Sequence, residues 1–164
     1  MQRITPAFVF TALTLAGSLA PVSAGASEYV SGDVVIKQPW SRPTPPGTPV
    51  GVGYMTIHNR GEQAVTLVSG ESPVAERVTI HESVMQDGLM KMRPLRGGLG
   101  IPPGATIELR PHSYHLMLEQ LSSPLREGEQ VPLTLTFDRV EPVSLELSVG
   151  SLDRGRGMGD HTGH

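Results

Sequence analysis

The sequence predicts an all-β domain, a Greek-key antiparallel β-sandwich, and three observations carry that prediction. Hardly any stretch after residue 27 shows the three-to-four-residue apolar spacing of an amphipathic helix. Apolar and polar residues alternate instead, most cleanly at Val131, Leu133, Leu135 and Phe137 and again at Val143, Leu145, Leu147 and Val149, with Thr134, Thr136, Ser144, Glu146 and Ser148 on the opposite faces. Turn-forming residues separate these stretches at the spacing of about 8 to 12 residues that half-buried antiparallel strands adopt.

Taken in order, Val34 to Lys37 reads as a short strand ending at Pro39-Trp40, and the proline-rich Ser41 to Gly51 reads as a connection. Gly53 to Asn59 is strand-like, with Tyr54, Thr56 and His58 on one face and Met55 and Ile57 on the other, and Arg60-Gly61 turns the chain. Ala64 to Ser69 and Glu76 to Glu82 follow as strands around the turn at Gly70-Glu71-Ser72-Pro73. Asp87-Gly88 is a hairpin signal that places His81 and Met92 on neighbouring antiparallel strands or at their ends. A Gly-rich loop at Gly97-Gly98-Leu99-Gly100 precedes two more strands, Thr106 to Arg110 and Tyr114 to Gln120, joined by the turn Pro111-His112-Ser113. The last alternating pair completes a set close to the cupredoxin or immunoglobulin architecture.

Residues 1–24 are expected to be a secretory signal peptide, cleaved after residue 24 or 26. A basic start at Arg3 leads into an almost uncharged run from Pro6 to Val22, followed by Val22-Ser23-Ala24 and Ala24-Gly25-Ala26. The run is broken by Thr11, Thr14, Gly17, Ser18 and Pro21 and falls short of the roughly 20 residues of a membrane span. No membrane insertion is expected after cleavage, and without cysteine there is no lipid attachment point. Losing Arg3 and no acid, 13 basic residues against 16 acidic become 12 against 16, and the formal charge goes from -3 to -4. Without a basic run, nucleic acid is not an expected partner. Residues 27–150 make one domain, large enough for a single core.

The absence of cysteine also excludes a disulfide scaffold, a thiol nucleophile, a C-x-x-C redox pair and a blue-copper centre, which needs a thiolate. What the chain offers in their place is concentrated between His81 and Met117. That stretch holds four of the six non-initiator methionines (Met85, Met90, Met92, Met117) and three of the six histidines (His81, His112, His115). In a strand, residues two apart share a face about 7 Å apart, so His115 and Met117 can lean onto one ion. Thioether selects monovalent copper and imidazole suits copper in either oxidation state, so His81, His115 and Met117 with one of Met90 and Met92 together describe a Cu(I) site. A methionine in a strand is more often core filler, and the prediction rests on the constellation rather than on any single donor.

The order His81, ten residues, Met92, a loop, then His115-x-Met117 resembles the motif of the periplasmic copper chaperones called PCu(A)C. The surrounding IHES, GLMKMRPL, YHLML and PLTLTF are similar to theirs, as are the upstream PWSRPTPPG and GVGYMTIHN, so that the resemblance runs from about Val35 to Val149. Met92 and His115 enclose 22 residues, one more than the family pattern, and the extra residue falls in the Gly97 to Gly100 loop. The spacing from His81 favours Met92, with Met90 as the alternative. The resemblance implies a β-sandwich, a non-enzymatic role, Cu(I) as cargo, and a copper-accepting periplasmic or membrane-bound partner: a cytochrome c oxidase subunit or its assembly factor.

Other candidates are weaker. His58 reads as a hydrogen-bonded surface histidine, His112 as a turn residue, Trp40 as a core-edge ring and Met85 as a spare donor. Beyond Gly150 the tail, residues 151–164, has no apolar periodicity, yet Met158, His161 and His164 suit Cu(II) capture. A copper-dependent redox enzyme on the same fold and a metal-free interaction sandwich are the competing functional classes.

Overall fold

The computed structural model describes residues 27–151, so the expected signal peptide and Met158, His161 and His164 lie outside the described residues. Strands account for the order β1 (Glu28–Ser31), β2 (Val34–Ser41), β3 (Val50–Asn59), β4 (Val65–Glu71), β5 (Ala75–Gln86), β6 (Leu89–Pro94), β7 (Leu99–Ile101), β8 (Thr106–Leu109), β9 (Tyr114–Leu121), β10 (Gln130–Phe137) and β11 (Val143–Val149). The described residues contain no helix. The all-β expectation therefore holds.

The strands belong to one hydrogen-bonded sheet that bends back on itself. Following the pairings from β5 through β9, β3, β2, β11, β10 and β4 returns to β5, because Gly70 of β4 bridges Val78 of β5. Most pairings are antiparallel, while β11 runs parallel to β2 and β8 briefly parallel to β9. Inside the circuit lie Ile36, Met55, Ile57, Leu67, Leu116, Leu118, Leu135 and Leu147, each almost fully buried. The two alternating strands at the end of the chain turn all eight of their predicted apolar residues, Val131 to Phe137 and Val143 to Val149, into this core. Burial of an apolar face on this scale is what holds a cysteine-free domain together.

Several boundaries differ from the sequence reading. The first long strand does not stop at Pro39-Trp40; β2 continues to Ser41 through an irregularity at Gln38, whose φ of 50° marks a bulge that lets the strand carry a proline. The proline-rich connection is correspondingly shorter, and β3 already begins at Val50. The Gly-rich loop contains β7, because Leu99 and Ile101 are buried and pair with β4 while Gly100 between them faces out. Glu28–Ser31 was not expected as a strand, but pairs with β2 along its whole length.

The closing bridge is sterically tight. A Cβ at Gly70 would lie 2.9 Å from Val78 Cγ1 and 3.4 Å from Leu135 Cδ2. Gly70→Ala is expected to lower unfolding stability by about 1–3 kcal/mol, since the β-branched Val78 cannot swing away. Gly97→Ala, where a Cβ meets nothing within 4 Å, should change it little. Urea unfolding of both variants checks this; equal stabilities would show that the bridge has slack.

Candidate metal centre

The predicted donors come together on the outer face of the wall formed by β6, β5 and β9. In the β5–β9 ladder His81 pairs with His115 and Thr79 with Met117, and in the β5–β6 hairpin Ser83 pairs with Met92 and Met85 with Met90. Directly opposed residues of an antiparallel pair share a face, and so do residues two apart. His81, Met85, Met90, Met92, His115 and Met117 therefore project from the same side. The hairpin turns at Asp87 (φ 53°) and Gly88 (φ 77°), both left-handed as a tight two-residue turn requires, and this fixes the register.

The two imidazoles are close and differently enclosed. Their ring centroids are 5.8 Å apart with planes tilted by 36°. His115 is only 4% exposed although it faces away from the core, and His81 is half-buried. A first-row metal ion sits about 2 Å from an imidazole nitrogen, a distance that two rings with this separation can accommodate.

Hydrogen bonds decide which nitrogens are free. His115 Nδ1 lies 3.0 Å from the Ser113 carbonyl, which only accepts, so this nitrogen carries the proton and Nε2 the lone pair. Thr79 Oγ1 lies 2.6 Å from Glu119 Oε1 and 3.0 Å from His81 Nε2. The carboxylate can only accept, so the hydroxyl spends its single proton there and itself accepts from His81 Nε2–H. That leaves the lone pair of His81 on Nδ1. Both bare nitrogens, His81 Nδ1 and His115 Nε2, are buried and without a hydrogen-bond partner. Buried polar atoms are rarely left so, and two bare imidazole lone pairs on rings 5.8 Å apart are suited to a cation.

Burial, more than charge, keeps His81 in the ligand form. Glu119 is held below the usual carboxylate range by the Thr79 hydroxyl and by hydrogen bonds from Arg77, whose Nε is 3.1 Å away. Desolvation, then the neighbouring His115, push the His81 pKa below its ordinary value of 6.5 against the opposing pull of Glu119. The neutral ring, which binds metal, thus survives to lower pH than in a free histidine.

The methionines differ in setting. Met117 is half-buried beside Thr79, and Val52 of β3 pairs with it on its other side. Met92 is 63% exposed, one two-residue step from His81 along the hairpin, and Met90 lies a further step toward the turn. The register thus puts Met92 nearer the imidazoles than Met90. Along β3 from Val52, Tyr54 stacks on Trp40 with ring centroids 4.7 Å apart, and the Arg42 guanidinium sits 5.8 Å from both centroids. Burial raises the Tyr54 pKa, with Arg42 pulling it down. His58 binds the Ala105 carbonyl and Thr106 at the far end of β3, and His112 is exposed in its turn at φ 64°. Among the described residues no group of three or more His, Cys, Asp or Glu gathers to hold a metal. Without the thioethers the face has only two donors.

Sequence reasoning missed Thr79 and Glu119. The same two-residue spacing that joined His115 to Met117 extends to Glu119, and from His81 back to Thr79, so the signal was present. Two outcomes follow in the metal-free protein. His81 should titrate with a midpoint below 6.5 in a histidine-resolved NMR pH series, and a midpoint at or above that value would contradict the burial argument. Thr79→Val, which keeps the shape and removes the acceptor, should shift His81 from the Nε2–H tautomer toward a mixture in ring nitrogen shifts.

Residues 34–149 match the family model described as "Putative lipoprotein LpqE-like". The chain is 28% identical to "Putative lipoprotein Lxx21020" of Leifsonia xyli subsp. xyli over 84% of its own length and 81% of that protein's. Among solved structures it is similar to the solution structure of CuI-DR1885 from Deinococcus radiodurans, with 28% identity, a TM-score of 0.54, and coverage of 79% of this chain and 83% of that one. The copper-bound PCuAC domain from PmoF2 matches in fold at a TM-score of 0.65 and 22% identity, covering 76% of this chain and 98% of the domain. With its family match spanning β2 to β11, the chain belongs to the LpqE-like family, a PCuAC-type family whose members are copper chaperones rather than enzymes.

Proposed function

We propose that this protein receives copper outside the cytoplasm, holds it as Cu(I) on His81, Met92, His115 and Met117, and passes it to an acceptor in cytochrome c oxidase copper-centre assembly. The observation that carries the reading is the pair of buried, unpartnered lone pairs on His81 and His115, set on the same face as two thioethers. Cu(I) accepts such a mixed soft set. All four donors are neutral, so one can be exchanged for a donor of the acceptor before the next lets go. Met92, the most exposed of the four, is the natural first to leave.

The same reading places the protein in the periplasm, exported by its N-terminal segment. The lipoprotein names of its relatives, which are the names of exported proteins, support this, and among the described residues no helix is long and apolar enough to cross a membrane. It also takes the closed sheet as a Greek-key sandwich of cupredoxin or immunoglobulin type, supported by the parallel pairing of β11 with β2 and by the non-sequential strand order. In the tail, His161 and His164 are assigned to Cu(II) capture, because imidazole suits Cu(II), and Met158 is grouped with them as a neighbouring donor.

Met117→Leu keeps the volume and deletes a donor, so Cu(I) affinity in a chelator competition should fall by more than the 10 to 100-fold typical of a supporting residue, with the fold intact. Unchanged affinity would remove Met117 from the site. A chain ending at Ser151 should lose Cu(II) binding and retain Cu(I) binding in equilibrium dialysis; equal Cu(II) binding would make the tail inert. The metal-free protein should be folded on its own core. Cu(I) should then add about 2.7 kcal/mol at a hundredfold excess over the dissociation constant, read as a rise in melting temperature.

A further inference from the structure

The β5–β6 hairpin leaves the rest of the sheet before it turns. Beyond the pair Glu82–Tyr114, β5 keeps a hydrogen bond from Ser83 N–H to the Ser113 carbonyl, and Ser83 to Gln86 with Leu89 to Met92 run on as a two-stranded ribbon. On the face shared with His81, that ribbon carries Ser83 and three methionines. Met85 and Met90 are directly opposed, and Met92 follows Met90 by two residues. They are 66%, 44% and 63% exposed. On the opposite face, at the base of the ribbon, stands the Arg93–Glu82 ion pair at 2.8 Å.

Opposed residues have Cβ atoms about 4.5–5.5 Å apart, and those one step along are about 7–8 Å away. The long, unbranched methionine side chain closes gaps of that size easily, so three sulfurs can converge over the ribbon. Three thioethers form a soft, neutral set of the kind that selects Cu(I). Core filling does not account for them, since none is in the core.

We propose that Met85, Met90 and Met92 form a second, all-thioether Cu(I) station on the projecting ribbon, with Met92 shared between it and the His81, His115 and Met117 site. This rests on the reading of that site given above. Met92 stands between the two stations, one two-residue step from the His81 row and one from the Met85–Met90 row. Transfer inward breaks the copper–sulfur bonds to Met85 and Met90 and forms bonds to His81 Nδ1, His115 Nε2 and Met117, while Met92 stays bound. The ion remains Cu(I) throughout, and no proton has to leave, because both nitrogens already carry lone pairs.

The test follows the methionine methyl signals of the full chain by NMR during anaerobic addition of Cu(I), with Met→Leu variants for assignment. The first equivalent should shift Met92 and Met117, and the second Met85 and Met90. In the Met85→Leu/Met90→Leu double variant the second equivalent should be lost from the ribbon while the first is retained. Unmoved Met85 and Met90 signals at two equivalents would overturn the proposal, as would a second equivalent that moves only Met158 of the tail. If Met85, Met90 and Met92 shift while Met117 and the ring signals of His81 and His115 do not, the ribbon station stands and the inner site fails, so the two readings are judged separately.

Discussion

The candidate metal face depends on the register in which β5 and β9 run side by side. Pairing His81 with His115 puts two imidazoles across from one another, and the same register sets Thr79 against Met117 and Arg77 against Glu119. A slip by one residue would send every one of these side chains to the core side of the wall. The core forbids that slip, because Val78, Ile80, Leu116 and Leu118 occupy the intervening positions and are buried. Apolar burial on one face thus fixes the spacing of the donors on the other. A metal site built of neutral donors would need such outside enforcement, since donors of that kind supply little of it themselves.

Behind the donors stands a polar chain from Arg77 through Glu119 and Thr79 to His81. Its negative charge is compensated on one side by the guanidinium and directed on the other through a hydroxyl to the far nitrogen of the ring. The effect is orientation without an anionic ligand. His115 reaches the same end by a shorter route, through the Ser113 carbonyl two residues earlier on its own strand end. Two different devices therefore produce two matched lone pairs.

Much of this was legible in the sequence, for an identifiable reason. Strand periodicity is local, so the alternation at Val131 to Phe137, the hairpin at Asp87-Gly88 and the shared face of His115 and Met117 could be read directly, and each is as the pattern implied. What could not be read depends on partners distant in the chain. The extension of β2 past Pro39 is supported by β3 and β11, and the strand at Leu99–Ile101 exists because β4 offers it an edge. The closure of the sheet through Gly70 and Val78 is likewise a tertiary fact. Within the candidate site, the register sets Met92 opposite Ser83 and Met90 opposite Met85, a placement that a residue count alone does not supply.

β6 lies at the end of the strand order, with β5 as its only neighbour among the described residues, and all of its residues are exposed. An open edge with apolar side chains is ordinarily an invitation for another chain to add a strand and begin an aggregate. Here the strand is short, and between and beside its methionines stand Lys91, Arg93 and Pro94. The Lys91 cation repels a second copy of the same edge, and the proline has no amide hydrogen to offer it. The ribbon can therefore keep its sulfurs in water, accessible to solutes, without becoming adhesive toward its own kind.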